Sequence, residues 1–506
     1  MVGKTFSCSF IGLEGRVIEV QADISRGLSS FSIVGMGDAS VQESKERVRS
    51  SIKNSGAIFP QTKKTINLAP AQIKKQGALF DLPIATSILL ATQQIPIEKI
   101  ENSIIIGELS LTGDIKSIPG ILPITQYAKE QGFKKIFLPK ENEREACFID
   151  EIEIYALNTL KEFMDFCLGN MEINPSQTIS MESLSLEENE ISALNGIVGL
   201  YKEKRALIIS AAGGHNILFY GSPGCGKTLL SRALKSLLTN MTKEEIFEVT
   251  KIYSIAGMLN NKIPLITLRP FREVHHTASI AAVVGGGSHP KPGEISLAHN
   301  GVLFFDEIAE FPRQILEAMR QPLEDKYIHI NRIHFSIKFP ANFIFLATMN
   351  PCPCGYLTDR KIRCICTESQ IKNYRKKLSG PLMDRFDIFT EVIKSPVRSL
   401  LDDQQTDNEI ILKKIQTARS MQTQRFKKSK NLYKNADMSL EEIKKHCVFE
   451  RQSRNILDKA AEKLQLSSRA YLKIVKVSRT IADLEGSEDI KDQHIAEAFQ
   501  YRSVHC

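Results

Sequence analysis

The sequence predicts an α/β protein in three parts: an N-terminal α/β domain, a central αβα domain and a C-terminal helical domain. Short β-like runs alternate with helical patterns through residues 1–168. The apolar run Asn216–Tyr220 leads through GSPGCGKT into the helical pattern LLSRALKSLL. After Pro396 the pattern is mainly helical to the end.

A chain of 506 residues exceeds what one ordinary core organises, so two or three domains are expected. Hydrophobic residues make up 42% and charged residues 25%, near the soluble average, and no apolar run nears the roughly 20 residues that span a bilayer. A membrane-spanning protein is therefore not expected. The opening MVGKTFSCSFIG lacks the long apolar segment of a signal peptide, so the expected compartment is the cytoplasm. The net charge of +8 is local, because residues 361–430 hold 16 Lys and Arg against 8 Asp and Glu, the same excess as the whole chain. A polyanionic partner and a solvated charged face both account for it.

In the N-terminal domain, 1–168, strands are expected at Val17–Ala22, Thr65–Leu68, Ser103–Ile106 and Lys135–Leu138. Helices are expected at Asp38–Ser55, Asp81–Thr92 and Ile124–Gln131. The polar, aperiodic stretch NPSQTISMESLSLEEN makes 169–190 a linker. The central domain covers 191–396. In the helical domain, 397–506, Asp437 or Ser439 can cap one helix and Ser467–Leu484 forms another.

Gly221, Ser222, Pro223, Gly224, Cys225, Gly226, Lys227 and Thr228 form a P-loop in the strand–loop–helix context that motif requires. Its glycines let backbone amides approach the phosphates of ATP, Lys227 reaches the β/γ oxygens and the Thr228 hydroxyl ligates Mg²⁺. The later run GVLFFDEIAEF reads as a buried strand ending in Asp306, which holds magnesium through water, and Glu307, a general base for the attacking water. Taken alone, an Asp-Glu pair is more often an ordinary strand-end turn. The strand FIFLATMN ends on Asn350, placed to position that water as a sensor residue. Arg385 in GPLMDRFD has two readings: an arginine finger supplied in trans within a ring, or a structural ion pair with Asp384 or Asp387. Arg469 in LSSRAYLK is read as a second sensor acting in cis.

These residues resemble the magnesium-chelatase-like AAA+ ATPases of the competence protein ComM (YifB) group. The resemblance spans essentially the whole chain. It rests on RPFREVHHTAS (269–279), GGGSHPKPGEISLAHNGVLFFDE (285–307), ATMNPCPCGY (347–356), SGPLMDRFD (379–387) and SSRAYLKIVKVSRTIADLEG (467–486). It implies an AAA+ core, a helical lid, and a homo-hexameric ATPase that acts as a helicase. That motor drives branch migration of single-stranded and branched DNA during natural transformation, alongside recombination or competence proteins. The N-terminal block resembles the C-terminal domain of Lon proteases, a ribosomal S5 domain 2-like fold, in GELSLTGDIKSIPGILP and KKIFLPKEN. Lon needs a nucleophilic serine and an activating lysine. GALFDLPIA (77–85) and PGILP (119–123) have neither where the resemblance puts them, so proteolysis is not expected.

Cys352, Cys354, Cys364 and Cys366 fall within fifteen residues and can supply four thiolates to a structural zinc, free thiols being the alternative. Arg269, Arg272 and Lys291 lie between the Walker motifs, where a mobile segment of a ring can face the pore and grip DNA phosphates. His275 and His276 lie there too, but no third ligand stands nearby to make them a metal site. Lys372, Arg375, Lys376 and Lys377 form a second basic patch, equally readable as a solvated helix face. Two rival functions share these motifs, a metal-chelatase-type motor subunit or protein-remodelling ATPase, and a ring that binds ATP without turning it over.

Overall fold

The computed structural model describes every residue except 1, 74, 76, 180–193, 195, 288–289, 333–334, 360, 395–407, 428, 430–431 and 503–506. The domain limits expected at 191 and 397, and the linker from 180 on, lie outside the described residues.

The N-terminal domain is a seven-stranded mixed sheet, ordered Ser30–Val34, Lys63–Ala69, Glu14–Ser25, Val2–Ile11, Ser103–Ile105, Lys135–Pro139, Glu153–Leu157. Glu14–Ser25 alternates Ile18, Val20 and Ala22 into the core, the period of a half-buried strand. Asp81–Ala91 is apolar almost all round, and all its residues but Leu90 are buried. Gly3 lets that helix approach, since a Cβ there would lie 2.1 Å from the Ser87 carbonyl oxygen. Its first residue, Asp81, is fully buried and salt-bridged to Arg47 at 2.6 Å, with Ser44 also donating to it. A buried ion pair therefore occupies the stretch where Lon would carry its serine. The first residues of the expected linker lie along this domain: the Ser176 amide donates to the Ile154 carbonyl and the Ile179 amide to that of Cys147, each at 2.8 Å.

The central domain is built on a five-stranded, all-parallel sheet ordered Phe271–Val274, Val302–Phe305, Ile344–Met349, Ile217–Tyr220, Ile388–Glu391. Phe271–Val274 is thus an edge strand of the core, within the segment expected to be a mobile insert. A hairpin, Tyr327–Arg332 with Phe335–Pro340, stands beside it, burying Ile328, Ile330, Ile337 and Phe339 on one face. Ile337 meets the turn of the N-terminal hairpin, 2.6 Å from where a Cβ on Gly12 would sit.

The C-terminal helices are Asn408–Phe426, Leu440–His446, Arg451–Lys463, Ser468–Leu484 and Asp492–Gln500. Ser439 caps the second and Ser467 the fourth through their side chains. The helical domain is fused to the core by one apolar cluster, in which Ile415, Val477 and Ile481 pack with Leu207, Phe219 and Leu234. The Phe389 amide also donates to the Tyr501 carbonyl at 2.8 Å. Asp387 lies at the same seam, 3.1 Å from Lys473 and 3.4 Å from His215. Burial pushes its carboxyl up, but Lys473 and His215 outweigh that and hold it below the usual carboxylate range.

Replacing Asp387 by Asn leaves Lys473 buried without its anion and should cost about 3 kcal/mol, read as a lower Tm at neutral pH. Because the folded carboxyl titrates below its unfolded value, this contribution is full above about pH 4 and is lost as pH falls further. The Tm gap between wild type and variant should therefore narrow in acid.

Candidate functional site

The parallel order gathers the expected chemistry at one edge. Tyr220 pairs with Met349 and Phe305 with Ala347, so the P-loop, Asp306-Glu307 and Asn350 all leave the carboxyl ends of adjacent strands. Gly226 takes φ +94° to turn the loop into the helix Lys227–Leu237, whose free N-terminal amides face the same edge.

Side chains lock these three loops together. Lys227 Nζ donates to the carbonyls of Gly221 at 2.6 Å and Ser222 at 3.0 Å, and to Asn350 Oδ1 at 3.0 Å. Burial lowers its pKa, while Cys225, Asp306 and Glu307 work in the opposite direction. Asn350 Nδ2 donates to Glu307 Oε1 at 3.2 Å. Thr228 Oγ1 donates to Asp306 Oδ2 at 3.0 Å. A hydroxyl and a carboxylate oxygen so placed are the hard donors that magnesium takes, and the ion would neutralise phosphate charge there. Glu307 adopts φ +52°, a strained left-handed conformation for a non-glycine residue, and its carboxylate meets the Asn350 side chain. Thr348, which the sequence reading passed over, holds this turn: it accepts from the Glu307 amide at 2.8 Å and donates to Asp306 Oδ1. Its only sequence signal is its place two residues before Asn350.

Arg385 pairs with neither Asp384 nor Asp387. Its partner is Glu324, which also lies 3.9 Å from Arg469. Both arginines line a cleft of about 1520 Å³ whose walls include no P-loop residue. Glu324 itself carries no recognisable motif.

Two of the expected DNA contacts are structural. Arg269 is 10% exposed, salt-bridged to Glu245 at 2.6 Å and donating to the carbonyls of Thr239 and Asn300. Arg272 makes a bidentate pair with Glu294 at 2.6 and 2.8 Å. Both are spent on joining the edge strand to its neighbours, leaving no free fork for a phosphate. Lys291, Lys372 and Lys376 are exposed, Arg375 is half-buried, and Lys377 lies 3.4 Å from Glu310. His275 and His276 have their rings 4.2 Å apart, and His275 bonds Thr277.

The four clustered cysteines converge, with sulfurs all within 4.8 Å of one another and three pairs at 3.4, 3.6 and 3.7 Å. Four thiolates about 2.3 Å from a tetrahedral zinc sit roughly 3.8 Å apart, so this donor set fits zinc. Backbone amides, that of Tyr356 foremost, lower the Cys354 thiol to about 6, whereas burial first raises Cys352. At Cys364 and Cys366 a backbone amide is outweighed by burial and the neighbouring thiols, which raise them, so one of the four is poised as a thiolate before a metal binds. Among the described residues no other group of three or more His, Cys, Asp or Glu brings its ligand atoms close enough to hold a metal ion.

Comparison with known proteins agrees with this geometry. Residues 193–400 match the family described as magnesium chelatase, subunit ChlI; 20–142 match subunit ChlI of Mg-chelatase, and 405–502 the ChlI C-terminal family. Competence protein ComM of Haemophilus influenzae is 38% identical over 504 residues, 99% of this chain and 97% of its own. The chain belongs to the ComM/YifB group of magnesium-chelatase-like proteins. Uncharacterized protein YifB of Escherichia coli is 38% identical over 494 residues, covering 98% of this chain and 96% of its own. Lon protease 2 of Bacillus subtilis is 30% identical over 168 residues, 30% of each chain, in the N-terminal region. The magnesium-chelatase-like AAA+ family implies ATPase activity with ATP and Mg²⁺. No helix among the described residues is long and apolar enough to cross a membrane.

Thr348→Val should lower kcat for ATP about 10- to 100-fold with nucleotide affinity little changed, since it loosens Asp306 and Glu307 but leaves the P-loop intact. Arg269→Ala should lower Tm, an effect of about 3 kcal/mol, and leave the salt dependence of any DNA binding unchanged.

Proposed function

We propose that the chain is a hexameric, ATP-driven DNA motor that promotes branch migration and heteroduplex extension as incoming DNA is integrated during natural transformation. The observation that carries this reading is the joined set Lys227, Thr228, Asp306, Glu307 and Asn350 at one sheet edge, in a chain similar to competence protein ComM over its full length. Lys227 and the P-loop amides hold the phosphates, Thr228 and Asp306 hold magnesium, Glu307 takes the proton of the attacking water and Asn350 orients it. A structural zinc on Cys352, Cys354, Cys364 and Cys366 shapes the loop after Asn350. Lys291, Lys372 and Lys376 are the surface cations left to meet DNA phosphates. The proposed setting is the cytoplasm, with recombination or competence proteins as partners.

Arg385 acts in trans on the neighbouring subunit's nucleotide. Because Arg469 shares Glu324 with it, away from its own P-loop, the geometry favours Arg469 working on that same neighbouring nucleotide in place of a cis role. The three magnesium chelatase matches favour a second reading, a chelatase-type or protein-remodelling motor with the same hydrolytic site.

ATP hydrolysis measured with no DNA, duplex, single strands and a synthetic three- or four-way junction, beside Lys227→Ala, separates these. Stimulation by DNA together with junction resolution is expected, and turnover indifferent to every DNA would move the second reading to the front. Mixing tests the arginines: Lys227→Ala with Arg385→Ala, and Lys227→Ala with Arg469→Ala, should each recover hydrolysis that neither variant shows alone. Recovery with Arg385→Ala but none with Arg469→Ala would return Arg469 to its own subunit's nucleotide.

A further inference from the structure

The chain leaves the nucleotide site at Asn350 and enters the cysteine turn two residues later, at Cys352. The turn does not project away from that site. Gly355 closes its first half at φ +83°, with its amide donating to the Cys352 carbonyl at 3.0 Å. A Cβ on Gly355 would lie 2.6 Å from both Cγ and Cδ of Pro223, so the backbone of the cysteine turn rests directly on the proline ring of the P-loop. The loop is confined elsewhere too. A Cβ on Gly221 would meet the Val392 carbonyl oxygen at 2.3 Å and Cys225 Sγ at 3.2 Å. The P-loop is therefore held both by the chain leaving the edge strand Ile388–Glu391 and by the cysteine turn.

A third contact returns from the far end of the turn. Thr367, next after Cys366, caps the helix Glu368–Lys376 in a capping box with Gln370. That helix buries one residue, Tyr374, which packs in one apolar cluster with Met349, the residue before Asn350. Burial first, then the carboxylates of Glu310 and Glu307, pushes its phenol pKa up. Apolar packing is thin in the second half of the loop, where Ile362 and Ile365 are 45% and 85% exposed, whereas Cys352 is fully buried. What brings the two ends of the loop together is the meeting of the four sulfurs.

We propose that the zinc-bound cysteine turn is a tie that fixes the P-loop, through Gly355 on Pro223, and the sensor Asn350, through Tyr374, in one block, so that metal occupancy sets nucleotide affinity and turnover. The inference rests on the zinc reading above. Gly355 and Tyr374 are positioning residues in it, and neither touches the reacting atoms.

The test uses the full-length protein, its zinc content and the affinity of a fluorescent ADP analogue, beside ATP turnover. Cys364→Ser/Cys366→Ser removes two ligands while sparing Cys225 of the P-loop, and should lose zinc, bind the analogue about tenfold or more weakly and show a lower kcat. A double-mutant cycle checks the contact in zinc-bearing protein, with no ligand removed. Gly355→Ala should weaken analogue binding and raise KM for ATP, and Pro223→Ala in the same chain should relieve much of that loss, which backbone strain at Gly355 alone would not allow. Tyr374→Ala, which removes the packing against Met349, should lower kcat with little change in KM. A zinc-free variant with unchanged affinity and kcat, or a cycle with no coupling, overturns the inference while leaving the zinc reading intact. Wild-type protein purified with far less than one zinc per chain overturns the zinc reading, and the inference falls with it.

Discussion

The parallel pairing of Ile217–Tyr220, Ile344–Met349 and Val302–Phe305 is the constraint on which the rest depends. Register in a buried sheet is set by which side chains are covered, and a slip of one residue would turn Phe304 and Leu346 out of their faces. With the register fixed, the first residues beyond three adjacent strands must lie side by side. The Lys227 ammonium, the Asp306 and Glu307 carboxylates and the Asn350 amide thus come together without any loop having to find its place independently.

The same economy explains the strain at Glu307. A left-handed turn at a glutamate is unfavourable by itself, and it persists because Thr348 on the neighbouring strand grips both the Glu307 amide and the Asp306 carboxylate. The helical domain adds to this rigidity. Its helices share one apolar cluster with the core, an ion pair ties Asp387 to Lys473 across the seam, and Asp483 pairs with Arg425 and Arg479 within the helical domain. Movement of that domain during an ATP cycle would strain the edge strand and the chain that follows it, which stands against Gly221 of the P-loop.

The N-terminal domain is built around a buried carboxylate. Its sequence resembles the Lon catalytic domain, yet Asp81 opens the central helix buried against Arg47 and Ser44. Such a knot specifies packing. Contacts from Gly12 to Ile337, and from Glu145 to Ser254, fasten the domain to the central domain.

Local pattern determined much of this protein. Helices at Ala39–Asn54, Asp81–Ala91 and Ser468–Leu484, and strands at Lys63–Ala69 and Lys135–Pro139, stand within a few residues of where periodicity and capping place them, because the pattern of apolar residues and caps that marks each is contiguous in sequence. The P-loop was legible for the same reason: its glycines, lysine and threonine act within one continuous turn. The alternation of Ile328, Ile330, Ile337 and Phe339 was legible too, though the hairpin it builds went unread beside stronger motifs. Tertiary structure alone decided what the isolated charges do. Arg269 and Arg272 read as free cations in sequence, but Glu245 and Glu294 neutralise them from 24 and 22 residues away. Arg385 has two aspartates beside it in sequence and pairs with Glu324, 61 residues distant. A charge interacts through space, and the fold alone sets which opposite charge lies within a few ångströms.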